Sequence, residues 1–453
     1  MINKKTLDGS FRDPSGFVFF KNNVLYRQIN ESYADEYTTL MKSGLYSELV
    51  KKGLLIPHIK VKDTKKYSLI RPDFISFISY PYEWSFSMLK DAAIATLKIQ
   101  KTALKYNMIL KDASAYNIQF VDAKPILIDT LSFEKHEPGT PWPAYRQFCR
   151  HFLAPLALMA YVNIELGKLL KIYIDGIPLD LTSKLLPTMT KLKLGLLLHL
   201  HFHSRNQQKY ASVSSTTKAM ISQTGMLGLI DNLQTTIQKL TWPLPQTEWG
   251  DYYSSTNYSR QAMTAKELMV EKMILTTKPK SVWDLGANIG RFSRLASKNG
   301  INTLAFDLDP AAVELNYLEC RRANEKSLLP LIQDLTNPSG DIGFANQERD
   351  ALIKRGPADT VLALALIHHL AITNNLPFKL IAQFLSQCGR CLIIEFVPKE
   401  DSQVKKLLSS RKDVFLNYFQ NFFEADFGHY FKVEQKKAIP ETKRTLYLMR
   451  RKI

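Results

Sequence analysis

The C-terminal half of the chain carries residues whose types and spacing suit a nucleoside site. In the run SVWDLGANIGRFS, Asp284 is followed by Gly286 and Gly290, with Asn288 between them. Glycines after a strand let the backbone turn sharply and come close to a ligand. The pattern is D-x-G-x-x-x-G and not the dinucleotide fingerprint G-x-G-x-x-G, because Asn288 stands where a middle glycine would be. Asp307 ends the next strand-like run, NTLAFD. A carboxylate there is placed to accept two ribose hydroxyls. A third run, LLPLIQD, closes on Asp334, where a carboxylate or its neighbouring backbone can read an adenine amino group. After a fourth, ADTVLALAL, come His368 and His369.

These groups need a sheet to hold them in line. SVWDLG, NTLAFDLD, LLPLIQDL, DTVLALAL and CLIIEFV read as strands, bounded by turn residues, with amphipathic helical stretches between them such as RFSRLASKNG and AAVELNYLECRRANE. Such alternation predicts βαβ units and a parallel sheet. HYFKVEQKKA and RTLYLMRR, on either side of Pro440, read as a closing hairpin. Upstream, the proline- and glycine-bearing stretch TWPLPQTEWGDYY interrupts the helical pattern. The expected division is therefore into residues 1–245 and 246–453.

In order and spacing, D-L-G-A-N-x-G, Asp307, Asp334 and a fourth strand ending in HHL resemble the motifs of class I S-adenosylmethionine-dependent methyltransferases. The resemblance implies a Rossmann-like, seven-stranded sheet with an antiparallel last strand. It also implies S-adenosylmethionine as cofactor. Asp284, Gly286, Asn288 and Gly290 would then lie against the methionine moiety, Asp307 against the ribose and Asp334 against the adenine. His368 and His369 would face the methyl-transfer region, as a base or as packing under the cofactor. A sulfonium methyl is already activated, so positioning the acceptor supplies much of the rate. A base matters only where a hydroxyl or amine must lose a proton.

A second constellation lies at LKDASAYNIQFVDAKPILIDTLSF, where Asp112-x-x-x-x-Asn117 precedes Asp129. It resembles the catalytic loop of protein and small-molecule kinases. The resemblance makes Asp112 the acceptor base, and Asn117 and Asp129 ligands of magnesium bound with ATP, provided the site is intact. Several parts depart from that pattern. Leu110 replaces the usual His, the D-F-G motif reads Asp129-Thr130-Leu131, and SGFVFFKNNVLYRQI holds one glycine. Arg27 or Gln28 falls where a lysine should anchor ATP. The expectation is an α+β, degenerate kinase-like domain with a helical C-lobe, preceding the α/β methyltransferase domain.

Two smaller clusters carry less. His199, His201 and His203 alternate in LLLHLHFHSR, a spacing that does not share one helix face and reads as a solvent-edge helical stretch. Cys388 and Cys391 form a lone C-x-x-C at a strand entrance, expected to be two buried thiols. Four cysteines in 453 residues argue against a disulfide scaffold and for a reducing compartment. The N-terminus lacks the apolar core of a secretory signal. The most apolar windows fall short of the roughly 18 residues of a membrane span. A cytoplasmic location is expected.

The net charge is +18, spread along the chain without long basic blocks. It would attract anionic partners such as nucleic acid, phosphorylated sugars or a lipid surface. DASAYN, IDTLSFE, LALALIHHL and EFVPKED, after the kinase-like leader, make nearly the whole chain similar to methyltransferases related to the host-specificity nodulation protein NoeA. The resemblance implies a glycan or small-molecule acceptor. An RNA (tRNA-type) methyltransferase remains open, although no RNA-binding module is visible. So do a non-catalytic cofactor-binding scaffold and an active N-terminal kinase.

Overall fold

In a computed structural model of the protein, the described residues are 4–202, 220–244, 258–409 and 413–452. They form two compact units. The first comprises Met1–Pro243 together with Asp341–Arg349, and the second comprises Leu244–Gly340 and Asp350–Ile453. The first unit is thus discontinuous in sequence, with nine residues contributed from far downstream.

The first unit opens with strands β1 (Lys4–Thr6), β2 (Gly16–Lys21), β3 (Val24–Asn30), β4 (His58–Asp63) and β5 (Tyr67–Pro72). They make an antiparallel sheet of order β1-β2-β3-β5-β4. The β2–β3 hairpin turns on Asn22 and Asn23 at φ 51° and 61°. Asparagine tolerates this left-handed pair, which matches the twist of the flanking strands. Helices Ala34–Lys42 and Leu45–Lys51 connect β3 to β4.

A nineteen-residue helix, Phe86–Leu104, follows and is buried over most of its length. Two small antiparallel pairs come next. β6 (Met108–Leu110) pairs with β9 (Phe133–Lys135), and β7 (Ile118–Val121) pairs with β8 (Lys124–Leu127). Asp112, Asn117 and Asp129 occupy the connections between these four strands. Short helices then lead to Gln223–Lys239.

The downstream residues are fixed into this unit by specific contacts. Arg12 donates to both oxygens of Glu348, from Nε at 2.9 Å and from its terminal nitrogen at 2.7 Å. The Arg349 guanidinium lies 4.3 Å from the centre of the Tyr116 ring.

The expected solvent-edge histidines are not at a solvent edge. His199 and His201 are buried on a π-helical turn, Leu197–Phe202. His199 is hydrogen-bonded to Tyr145 and Asn232, and His201 to Ser183 and Thr190. The wider turn and four polar partners bring both imidazoles inside. His203 lies outside the described residues.

The second unit holds one seven-stranded sheet. Its strands are β10 (Ser281–Leu285), β11 (Asn302–Asp307), β12 (Leu328–Ile332), β13 (Ala358–Ala363), β14 (Gly389–Phe396), β15 (Phe431–Ala438) and β16 (Thr445–Arg451). The order is β12-β11-β10-β13-β14-β16-β15, with β16 alone running antiparallel to the other six. β10 and β14 are almost wholly buried, as strands covered on both faces must be.

Helix Arg260–Thr277 is capped by the Ser259 side chain at its start and by a left-handed Lys278 at its end. Helix Pro310–Ala323 is capped by Asp309, with Pro310 in its first turn, and ends at a left-handed Asn324. Val270, Met273 and Ile274 of the first helix pack in the core with Val282, Leu362, Ile393 and Leu448 of the sheet. Cys388 and Cys391 are buried free thiols.

Candidate active site

The strand order reverses direction at β10, with β11 on one side and β13 on the other. In open α/β sheets, ligands bind outside the carboxyl ends of the strands at such a switch point. The expected cofactor residues gather there. β10 delivers Asp284, buried, whose Oδ2 accepts a 2.6 Å hydrogen bond from Ser293 Oγ. The loop then passes through Gly286 (φ 77°), Asn288 (φ 52°) and Gly290 (φ 79°). All three are in the left-handed region that glycine and asparagine enter most easily. Backbone N–H groups of Gly286 and Ala287 donate to Phe306 O, each at 2.9 Å.

β11 delivers Asp307 to the same loop. Its Oδ2 accepts from the Asn288 backbone at 2.6 Å and its Oδ1 from Asp309 N at 2.9 Å. Burial pushes the Asp284 carboxyl up to about 7, against the Ser293 hydroxyl that favours the ionised form. Burial pushes Asp307 up to about 6, against the N–H donors of Asp309 and Asn288. Both sites are therefore poised to gain from a ligand that favours the carboxylate.

Asp334 lies two residues beyond β12, and its Oδ1 caps its own turn by accepting from Thr336 N and Thr336 Oγ1. Its neighbour Gln333, passed over in the sequence, is buried and donates to Asp334 O at 3.1 Å. Gln333 Oε1 has no hydrogen-bond partner among the described residues. Leaving a buried amide oxygen without a donor costs about 1–3 kcal/mol.

His368 and His369 begin the segment after β13, with ring centres 4.2 Å apart. His368 is buried and its Nδ1 has no partner among the described residues. Burial drives His368 far below the usual histidine range, aided by the charges of His369, Arg444 and Lys266. Burial brings His369 down to about 4, aided by Arg444. Burial thus favours the neutral form of both imidazoles.

The side chains around the histidines include a charged cluster that sequence reading did not find. Lys266 Nζ lies 2.6 Å from Glu395 Oε2, and Arg444 reaches Glu395 Oε1 at 3.2 Å. Arg444 also makes a two-point pair with Asp401, at 2.7 and 3.0 Å. Tyr258 donates its hydroxyl to Glu395. The five residues come from well-separated parts of the sequence, so no local pattern announces them.

In the first unit, Arg27 and Gln28 of β3 have different partners. Arg27 pairs with Asp129 Oδ1 at 2.6 Å, whereas Gln28 donates to Asn30. Asp129 also accepts from Leu131 N and Ser132 Oγ, each at 2.9 Å. Burial and the nearby Asp129 charge raise the Asp112 carboxyl. Asn117 Nδ2 reaches Ser132 Oγ at 3.4 Å. Among the described residues, no group of three or more His, Cys, Asp and Glu is placed to hold a metal ion. Asp129 is thus engaged by Arg27 and by two donors of its own turn.

No family model matches the chain. Nodulation protein NoeA of Rhizobium meliloti (strain 1021) is 32% identical over 457 residues, covering 98% of this chain and 95% of that protein. Among solved structures, magnesium protoporphyrin IX methyltransferase (ChlM) from Synechocystis PCC 6803, with bound SAH, is 15% identical. It covers 45% of this chain and 93% of its own, with a TM-score of 0.32. WbdD, described as a bifunctional kinase-methyltransferase, is 14% identical over 46% of this chain and 43% of its own, with a TM-score of 0.29. The two structural likenesses are too weak to bear on residue roles. The near full-length identity and the strand order of the second unit stand without them: the chain belongs to the NoeA family, and its C-terminal domain is a class I S-adenosylmethionine-dependent methyltransferase domain.

Proposed function

We propose that the protein transfers a methyl group from S-adenosylmethionine to a hydroxyl oxygen of a glycan or small molecule. The observation that carries this reading is the pair of adjacent imidazoles after β13, at the carboxyl end of the sheet that also bears the glycine loop, where burial favours their neutral forms. A neutral base is useful where the acceptor must shed a proton. The cofactor supplies an activated methyl.

The chain's own residues do the rest. Asp284 and the Gly286–Gly290 loop hold the methionine moiety, with the ionised carboxylate facing its ammonium group. Asp307 accepts the ribose hydroxyls while its backbone donors keep the loop in place. Gln333 Oε1, lacking a donor, and Asp334 read the adenine amino group. His368 or His369 takes the acceptor proton. The unpaired buried Gln333 oxygen supports this placement of the cofactor.

The test has two parts. By calorimetry, the protein should bind S-adenosylhomocysteine near micromolar, about −8 kcal/mol. Asp307→Ala should weaken that by about 1.5–3 kcal/mol, the loss of a charged hydrogen-bond acceptor. Unchanged affinity removes Asp307 from the site. Label transferred from S-adenosylmethionine into fractionated lysate should then survive nuclease treatment. Label lost on nuclease treatment favours an RNA acceptor, and cofactor binding with no transfer to any fraction favours a scaffold.

We infer that the first unit is kinase-like but does not transfer phosphate efficiently. Supporting this are the Arg27–Asp129 pair, which occupies a carboxylate that magnesium would need, and the single glycine of the β2–β3 region. Phosphoryl transfer depends on positioning and charge neutralisation. Incubation with magnesium and labelled ATP should yield no phosphorylated product, with or without a glycan acceptor. Product that disappears in Asp129→Ala overturns this reading.

A further inference from the structure

Glu395 is an unusual residue to find in the last turn of a buried strand. The sequence around it, CLIIEFV, is otherwise apolar, and the side chain is fully buried. Four donors from separate elements converge on its carboxylate. Oε2 takes Lys266 Nζ at 2.6 Å and the backbone N–H of Ala365 at 2.9 Å. Oε1 takes the Tyr258 hydroxyl and an Arg444 nitrogen at 3.2 Å. Burial alone would raise this carboxyl, but Lys266 and Arg444 overcome it and hold it at about 2. A well-packed apolar cluster would often stabilise the fold as well as buried ion pairs do. The network therefore calls for a reason beyond stability.

The reason is visible in what Glu395 holds. Ala365 is not glycine, yet its φ is 50°. Left-handed backbone is unfavourable for an L-residue and persists where surroundings over-determine it. Ala363 and Ile394 are paired across β13 and β14, so the next residue of β14 stands beside the turn that leaves β13. The 2.9 Å bond from Ala365 N–H to Glu395 Oε2 fixes that turn. His368 follows three residues later.

We propose that Glu395 is a positioning residue for methyl transfer: anchored by Lys266 and Arg444, it holds the left-handed turn at Ala365 and thereby sets the His368–His369 pair. The idea rests on the methyltransferase reading and goes past it, because it assigns a role to a side chain whose partners are all groups of the protein itself.

The test needs no acceptor. Full-length protein labelled at its histidine imidazoles is compared by NMR with Glu395→Asp and Glu395→Gln, each titrated calorimetrically with S-adenosylhomocysteine. The aspartate keeps the charge for Lys266 and Arg444 but withdraws the acceptor from Ala365. The glutamine keeps the reach and loses the charge. In Glu395→Asp, the His368 and His369 resonances, identified from their Ala variants, should be displaced or broadened. Resonances of His199 and His201 should stay in place, and affinity should remain within about threefold of wild type. A folded Glu395→Asp protein with His368 and His369 unmoved overturns the proposal. If Glu395→Gln fails to fold, Glu395→Asp still decides, and Tyr258→Phe, which removes one donor and no charge, should give a smaller displacement of the same two resonances. Failure of the unmodified protein to bind S-adenosylhomocysteine would count against the methyltransferase reading instead.

Discussion

Gly290→Val should abolish cofactor binding, with S-adenosylhomocysteine affinity falling more than about 100-fold, or about 2.7 kcal/mol. Gly290 sits at φ 79°. A Cβ there would lie 2.5 Å from Asn316 Nδ2 and 2.7 Å from Asn316 Oδ1 and an Arg294 terminal nitrogen. Neither neighbour can step aside easily. Asn316 is buried, and the same Arg294 nitrogen donates to Ile289 O at 2.6 Å within the loop. Valine adds a β-branched penalty in a region that bulky residues avoid.

Gly300→Ala is the control. Its φ is 73°, yet nothing lies within 4 Å of its Cβ position, so it carries the backbone strain without the collision. It should lower the melting temperature and leave affinity unchanged. Gly286→Val should fall between the two, since the nearest atom to its Cβ is the movable end of Leu366 at 3.2 Å. A Gly290→Val protein that binds within about threefold of wild type would remove the loop from the site.

The second large effect concerns turnover. Replacing the imidazole that serves as base, His368 or His369, by alanine should cost about 10²–10⁴ in kcat while cofactor affinity holds. Equal losses in affinity would mean that the ring supports the pocket. The pH profile adds an independent check. Burial holds His369 at about 4 and His368 well below the usual histidine range. An imidazole must be unprotonated to act as a base, so kcat should stay level as pH falls until it nears about 4. Asp284 and Asp307 behave differently in the cofactor-free protein, where burial raises them to about 7 and 6. Their ionised forms bind the cofactor, so kcat/KM for S-adenosylmethionine should fall as pH drops through that range. A kcat that falls in step with kcat/KM near neutrality would contradict the neutral-imidazole assignment.

The sequence showed the parts of this protein whose physics is local. β10 to β14 are short apolar runs closed by turn residues, and each could be read without knowing its neighbours. The glycine loop after Asp284 carried its own signal. What escaped depends on partners far apart in the chain. Glu395 reads as a lone charge in an apolar strand until Lys266, Arg444 and Ala365 are placed around it. Gln333 was overshadowed by the acidic residue beside it. Strand geometry, where successive side chains face opposite ways, gives Arg27 and Gln28 different partners. His199 and His201 were misread because helical facing rules assume a regular α-helix, and the turn that carries them is wider.

The discontinuity of the first unit bears on how the chain is made. Arg12 and Glu348 are separated by 336 positions, yet they form one ion pair within that unit. Ribosomes add about 5–20 residues per second, so roughly 20–70 s pass between the two side chains entering the growing polypeptide. Through that interval the early-made part lacks the Glu348 carboxylate for Arg12 and the Arg349 guanidinium over Tyr116. Its last step of assembly must follow synthesis of β10 to β12, so the amino-terminal unit is completed only when translation is well into the carboxyl-terminal one.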